Sequence, residues 1–197
     1  MSEPTCCAGK HAPRPRLVDG WLAGVCRRES PNFDERPADT EISLIVVHAI
    51  SLPPGQFGSA AIVDLFSNCL DTGAHPYFGL LEDLRVSAHI LIRRDGGLIQ
   101  FVSCRQRAWH AGLSSWRGRQ RCNDFSVGIE LVNLNDGQDP YPEAQYEAVV
   151  RIIKDLRTRW EIPDSHIVSH AAIARPVGRK SDPVGFDFEK LKQMLGQ

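Results

Sequence analysis

Short runs of aliphatic and β-branched residues, separated by polar or proline-containing stretches, form the main pattern of this chain from residue 42 onward. The apolar run at 42–50 predicts a buried strand, which the sequence Pro53-Pro54-Gly55 ends. Runs at 86–92 and 98–102 predict two more strands, joined as a hairpin through a connection that contains Asp95-Gly96. The first half of the chain therefore predicts at least three strands.

Other segments show the alternation of a half-buried strand or the periodicity of a helix. Residues 126–132 predict a strand with Val127, Ile129 and Leu131 facing inward and Ser126, Gly128 and Glu130 on the other face. Residues 166–169 predict a short strand. Apolar spacing predicts helices over 60–70, 142–160 and 186–195, and the second has the clearest apolar face.

These elements predict an α/β fold, a single domain in which a mixed central β-sheet is flanked by α-helices. Residues 1–40 are rich in Pro, Arg, Asp and Glu and predict an irregular lead-in. We expect residues 1–15 to form an irregular tail and residues 16–197 to form the folded domain. No internal repeat marks a second domain.

Composition narrows the possible partners and the compartment. With 23 Lys and Arg against 24 Asp and Glu, the net charge of −1 predicts no general attraction to nucleic acid or to anionic membrane. No protein partner is implied. The first residues lack the apolar core of a secretory signal, and six cysteines show no Cys-x-x-Cys spacing. We therefore expect a cytoplasmic protein with free thiols.

Three potential metal ligands stand where a rigid scaffold would hold them. His48 lies near the end of the apolar run at 42–50, His170 follows the short strand at 166–169, and Asp182 lies in a turn before a proline. Two imidazoles and one carboxylate leave a coordination position for water, which distinguishes a catalytic zinc site from a structural one. The trio predicts a metallohydrolase.

Two further residues fit this chemistry. Glu130 lies inside an apolar strand, where a carboxylate is costly to bury without a partner, and it is a candidate general base for an attacking water. Lys180 lies two residues before Asp182 and is a candidate for stabilising the oxyanion formed at an amide carbonyl.

Each of these residues has an ordinary structural interpretation when taken alone. A buried histidine is commonly a hydrogen-bonded core residue, Asp182 suits a turn, Glu130 could face solvent, and Lys180 could be an exposed turn residue. Other metal chemistries fit less well, since His-Glu-x-x-His is absent and no histidine has Asp or Glu two residues later. A P-loop sequence is also absent.

Six segments together resemble the superfamily of amidase-2 and peptidoglycan-recognition proteins, in its branch of cytosolic zinc amidases. They lie at 46–55, 74–78, 84–89, 107–112, 121–131 and 178–183, and they include Trp-His-Ala-Gly at 109–112 and Gly-Arg-Lys-Ser-Asp-Pro at 178–183. The match runs from about residue 16 to the last predicted helix. The six motifs occurring together in this order are specific to the superfamily, whereas each motif alone is weak evidence.

The resemblance implies one Zn²⁺ bound by His48, His170 and Asp182, with Glu130 as the base and Lys180 stabilising the tetrahedral intermediate. It also implies five accessory residues. Tyr77 would lie near the metal, Arg85 and Arg121 would hold carboxylates of a stem peptide, and Trp109 and His110 would line the sugar side. A planar guanidinium suits carboxylate binding because it can donate two parallel hydrogen bonds.

The implied function is that of an N-acetylmuramoyl-L-alanine amidase acting on 1,6-anhydromuropeptides during peptidoglycan recycling. Two alternatives stay open: a sensor that binds muropeptides without cleaving them, and an amidase that acts on the intact wall. The chain departs from the common family pattern at Ala49, where relatives often carry Asn, and around 169–172 and 182–185. These departures concern substrate contacts rather than the ligands.

Overall fold

The computed structural model describes residues 16–196. The tail expected at 1–15 lies outside the described residues, as does residue 197. Within 16–196, no helix is both long enough and apolar enough to cross a bilayer.

Twelve strands and four α-helices make up the described chain. The strands are β1 Leu17–Val18, β2 Trp21–Leu22, β3 Cys26–Arg27, β4 Phe33–Asp34, β5 Leu44–Ile50, β6 Ile90–Ile92, β7 Leu98–Gln100, β8 Arg107–Ala108, β9 Ser115–Trp116, β10 Arg119–Gln120, β11 Ser126–Val132 and β12 Ile167–Ser169. The helices are α1 Ala61–Phe66, α2 Glu143–Arg157, α3 His170–Ile173 and α4 Phe188–Leu195. Short 3₁₀ turns cover Phe78–Leu81, Cys122–Phe125 and Asp164–His166.

Six of these strands form the central sheet, in the order β12-β5-β11-β6-β7-β3. Strands β12, β5, β11 and β6 are parallel to one another, whereas β7 runs antiparallel to β6. The carboxyl ends of the four parallel strands therefore meet at one edge, where side chains from distant parts of the chain are brought together.

Helices α2 and α4 cover one face of the sheet, which we call the back face. There, Ile45, Val47, Val127, Ile129 and Leu131 pack with apolar residues of both helices. Full burial of an Ile or Leu side chain contributes about 2 kcal/mol, so this layer is a large part of the folding free energy. The side-chain nitrogen of Gln145 in α2 donates to Ile92 O and Val132 O and so fixes the helix to the strand ends.

The opposite face, here called the front face, is covered in two parts. Helix α1 packs over Leu91 and Val132, and a second cluster around Leu44, Val46 and Phe125 lies beside it. The carboxyl ends of β5, β11 and β12 lie together at one edge of the front face.

The predicted mixed sheet, its flanking helices and the single domain are confirmed, with element ends shifted by a few residues. The largest difference lies in the lead-in. Its described part forms four short strands, and β3 joins the central sheet beside β7. Two-residue strands carry no alternation that a sequence pattern could reveal. Strand β11 is also covered on both faces, so Glu130 is only partly exposed and does not face open solvent.

Candidate metal centre

The candidate centre lies at the carboxyl edge of the parallel strands. His48 is the fifth residue of β5, and Glu130 is its direct register partner on β11. Residue Ser169 of β12 pairs with Val47, so His170 follows immediately beside His48. Parallel pairing thus places His48 and Glu130 side by side on neighbouring strands, and His170, the first residue of α3, follows β12 at nearly the same height.

A loop brings the third ligand to the two histidines. Asp182 Oδ2 lies 3.1 Å from His170 Nδ1 and 3.4 Å from His48 Nδ1. One ligand atom from each residue falls within 4.8 Å of the others. The amide of Ala171 donates to Asp182 O at 3.0 Å, which ties the loop to α3.

Asn135 provides a second anchor for this loop. Its Oδ1 accepts a hydrogen bond from Val184 N at 2.7 Å, and its Nδ2 donates to Ser181 Oγ at 3.3 Å. Hydrogen bonds on both sides of Asp182 therefore hold the loop in place, although Asp182 lies outside any helix or strand.

The three residues suit a divalent metal because their donor atoms converge while their remote atoms are occupied elsewhere. His170 Nε2 lies 3.4 Å from Ala111 O, and His48 Nε2 lies 3.0 Å from His110 Nδ1. This leaves both Nδ1 atoms for the centre, together with one carboxylate oxygen. Two imidazole nitrogens and one carboxylate oxygen match the donors of open zinc sites.

The charges at the centre support the same interpretation. Burial lowers the pKa of His48 to about 4, although the neighbouring Asp182 raises it, so the imidazole is neutral near pH 7. Burial by itself raises the pKa of Asp182, but its contacts with His170 and His48 outweigh burial, lower this pKa and keep the carboxyl ionised. A neutral imidazole and an ionised carboxylate are the forms that bind metal ions.

Glu130 differs from the three ligands in the environment of its carboxylate. Among residues 16–196, its buried Oε2 has no hydrogen-bond partner. Burial raises its pKa well above the usual value, the Asp182 charge raises it further, and the Lys180 charge lowers it. A carboxyl group with a raised pKa takes up a proton more readily than an ordinary surface glutamate, as a general base must.

Lys180 is exposed, in the loop that carries Asp182. Its charge also lowers the pKa of His48, after the larger effects of burial and of its neighbours. The cation therefore acts electrostatically on both the first ligand and the candidate base.

The remaining predicted residues occupy different positions. Tyr77 is 36% exposed, and within the described part of the chain its hydroxyl makes no hydrogen bond to the three ligands. Arg85 is exposed and donates to Glu82 O at 2.9 Å, while the exposed Arg121 places Nε 3.1 Å from Asp124 Oδ2. Both guanidinium groups are accessible to an anionic ligand.

Trp109 and His110 are adjacent in sequence but differ in exposure. Trp109 is half-buried, and its amide donates to Ser87 Oγ at 3.0 Å. His110, expected along the sugar side, is only 9% exposed and lies against His48 rather than opening to solvent.

Sequence reasoning missed several residues that position the centre. Asn123 Oδ1 accepts hydrogen bonds from the amides of His110 and Ala111, at 3.2 and 2.8 Å. Asn123, Ser126 and Asn135 are ordinary polar residues in a single sequence. No spacing rule identifies them, because each acts on a segment that is remote along the chain.

Comparison with known proteins gives concordant results. The family model described as "Amidase_2: N-acetylmuramoyl-L-alanine amidase" matches residues 38–185. The chain is 47% identical over 182 residues to a Citrobacter freundii protein named 1,6-anhydro-N-acetylmuramyl-L-alanine amidase AmpD, covering 91% of this chain and 94% of that protein.

Solved structures resemble this chain in the same way. A crystal structure of a selenomethionine AmpD derivative superposes with a TM-score of 0.86 at 47% identity, covering 91% of this chain and 98% of the other. The Escherichia coli amidase AmiD, in complex with anhydro-N-acetylmuramic acid-L-Ala-D-γ-Glu-L-Lys, superposes with a TM-score of 0.58 at 27% identity. That match covers 82% of this chain and 65% of the AmiD chain.

Proposed function

The chain belongs to the Amidase_2 family and is an N-acetylmuramoyl-L-alanine amidase, and we propose that it uses one Zn²⁺ to hydrolyse 1,6-anhydromuropeptides. The bond cleaved is the amide between the lactyl group of the muramic residue and L-alanine of the stem peptide. The reaction serves peptidoglycan recycling in the cytoplasm.

One observation carries the metal assignment: His48 Nδ1, His170 Nδ1 and Asp182 Oδ2 converge while both remote imidazole nitrogens have partners elsewhere. A zinc ion bound by these atoms would polarise the amide carbonyl and lower the pKa of a water molecule beside it. The carboxylate of Asp182 would offset part of the metal charge.

Glu130 would take the proton from the attacking water. Its register position beside His48 brings the carboxylate to the ligand cluster, and its buried oxygen Oε2 has no competing partner among residues 16–196. As the C–O bond forms and the C–N bond breaks, Glu130 would pass this proton to the leaving amine. The products are a lactyl carboxylate and a free L-alanine amino group.

Lys180 would stabilise the negative charge that develops on the carbonyl oxygen. Its ammonium group is exposed in the Asp182 loop, and its charge already influences Glu130 and His48. Charge stabilisation of this kind is commonly the largest single contribution to acyl-transfer catalysis.

Arg85 and Arg121 would bind carboxylates of the stem peptide, since both guanidinium groups are accessible. Trp109 would contact the sugar, and Tyr77 would contribute a hydroxyl near the scissile bond. The AmiD relative was crystallised with an anhydromuramoyl peptide, which supports this substrate class for the present chain.

The test is mass spectrometry of the purified protein incubated with an anhydromuropeptide, with and without a chelator. We expect release of free stem peptide, its loss on chelation and its recovery on adding zinc. Intact ligand that stays bound to the metal-loaded protein would overturn the hydrolase proposal and support a muropeptide sensor. A parallel assay on intact peptidoglycan separates the recycling substrate from the wall.

A further inference from the structure

Both histidines of the proposed zinc site direct their remote nitrogens toward one short segment, residues 110–111. We propose that His110 is a positioning residue that fixes the tautomer of His48 with hydrogen on Nε2, so that Nδ1 presents its lone pair to the metal. This inference rests on the proposed zinc site and extends it to a residue that the family resemblance had assigned to the sugar side.

The assignment begins at a serine beneath the histidine ring. Ser126 Oγ lies 2.6 Å from Cys122 O, and a carbonyl has no hydrogen to share, so the serine hydroxyl must donate in this pair. The hydroxyl group of Ser126 has only one hydrogen to donate. Toward its second neighbour, His110 Nε2 at 3.3 Å, it can therefore only accept. Hence the hydrogen of neutral His110 lies on Nε2, and its Nδ1 is an acceptor.

The same reasoning continues to the metal ligand. His110 Nδ1 lies 3.0 Å from His48 Nε2. Because His110 Nδ1 has no hydrogen, His48 must donate from Nε2, which leaves a lone pair on His48 Nδ1. That nitrogen is the one directed toward Asp182 Oδ2. The chain of hydrogen bonds thus has a single direction, from His48 through His110 and Ser126 to Cys122 O.

The surroundings of His110 hold its ring in this orientation. A Cβ atom on Gly128 would lie 2.5 Å from Cγ of His110, so the ring packs directly on the glycine backbone of β11. The amides of His110 and Ala111 are both fixed by Asn123 Oδ1.

The second histidine ligand, His170, also has its remote nitrogen next to residues 110–111, but its partner there is a backbone atom. His170 Nε2 faces Ala111 O at 3.4 Å, and a backbone carbonyl accepts a hydrogen bond whatever the side chain. His48 instead depends on a side chain whose own tautomer must be set. A substitution at His110 should therefore affect His48 selectively.

The test compares His110→Phe, which removes the acceptor and keeps an aromatic ring, with His110→Asn, whose amide oxygen can take the place of Nδ1. His89→Phe is the matched control. His89 is also buried and also contacts Gly128, through an amide hydrogen bond at 2.9 Å to its Nδ1, but among residues 16–196 it makes no hydrogen bond to a ligand. Zinc affinity is measured by chelator competition, and the His48 tautomer by ¹⁵N NMR of the metal-free protein.

We expect the metal-free wild type to carry hydrogen on His48 Nε2. We expect His110→Phe to weaken zinc binding about 10- to 100-fold, the range found for partners of metal-bound histidines. His110→Asn should recover most of this loss, and His89→Phe should bind zinc within about twofold of wild type even if it is less stable. Ser126→Ala keeps the ring and should weaken binding by an intermediate factor, which provides the test if His110→Phe does not fold.

Three results would overturn the inference: hydrogen on His48 Nδ1 in the wild type, unchanged zinc affinity in His110→Phe, or equal losses in His110→Phe and His89→Phe. None of these measurements uses substrate. A wild type that binds zinc with the expected tautomer but cleaves nothing would contradict the proposed function and leave this inference standing.

Discussion

Gly128 lies directly under the imidazole of His110, so close that a methyl group at position 128 would stand 2.5 Å from the ring carbon Cγ. The glycine belongs to the same β11 face as Ser126 and Glu130, two residues from each. Because Gly128 has no side chain, the ring of His110 fits between Ser126 and the candidate base Glu130. This close packing connects the central strand with the proposed metal site.

Gly128→Ala should therefore lower both stability and zinc affinity. The neighbouring backbone or the His110 ring must shift, and overpacking of this kind costs about 1–3 kcal/mol. Chemical denaturation and chelator competition measure the two effects. Gly79→Ala is the control, because nothing lies within 4 Å of a Cβ at that position and its φ is in the ordinary range. Equal effects of the two substitutions would contradict the packing argument.

Glu130→Gln should retain zinc and lose most of the turnover. The amide keeps the size of the side chain but cannot accept the proton, and general base catalysis commonly contributes about 10²- to 10⁴-fold. Since the carboxylate is buried without a partner for Oε2, its replacement should not lower the midpoint of thermal unfolding. Undiminished release of stem peptide would exclude Glu130 as the base.

Asp182→Ala should lose both metal and activity, because two neutral imidazoles alone form a weaker site without the carboxylate charge. Elemental analysis of the purified variant gives the zinc content per chain. Glu147→Gln, on the exposed side of α2, removes a carboxylate at a distance from the site and should keep full zinc content. Stoichiometric zinc in Asp182→Ala would contradict its assignment as a ligand.

Arg85→Ala and Arg121→Ala should raise KM for muropeptides and leave zinc content unchanged. Each substitution removes an accessible guanidinium, and a charge-assisted hydrogen bond to a carboxylate contributes about 1.5–3 kcal/mol. The effect should shrink for substrates whose stem-peptide carboxylates are amidated. Arg151→Ala, on exposed α2 surface, should leave KM unchanged. Equal KM values for all three variants would exclude carboxylate binding by the two arginines.

The thiols should differ in reactivity according to burial. Cys69 is exposed, whereas Cys104 is fully buried and burial raises its pKa to about 12, so almost no thiolate is present near neutral pH. Cys122 is also fully buried, and burial raises its pKa. Iodoacetamide followed by peptide mapping should find Cys69 modified in the native protein, with Cys104 and Cys122 modified only after denaturation. Rapid native labelling of Cys104 would contradict the described core.

The fold followed from the sequence wherever a segment was long enough to show its period. The alternation at 126–132 identified β11 with its ends, and the apolar face of α2 was recognised from residues 142–160, since burying one face forces a regular spacing on the side chains. The two-residue strands of the lead-in escaped detection. Strands β3 and β4 are held by pairing with distant segments, whereas β1 and β2 pair with each other, and strands of two residues leave no local period.

The candidate ligand set His48, His170 and Asp182 was also predicted from the sequence, because metal-binding residue types are few and two of them adjoin strand ends, and the structure brings the three side chains together. Only the tertiary structure decided that β5 and β11 are neighbours in a register that places Glu130 beside His48. It alone revealed that His110 turns inward against His48, clamped by Asn123 and Ser126. Local sequence sets which face of a strand is apolar. Strand order, register and the direction of buried hydrogen bonds depend on contacts between segments that are remote in the chain.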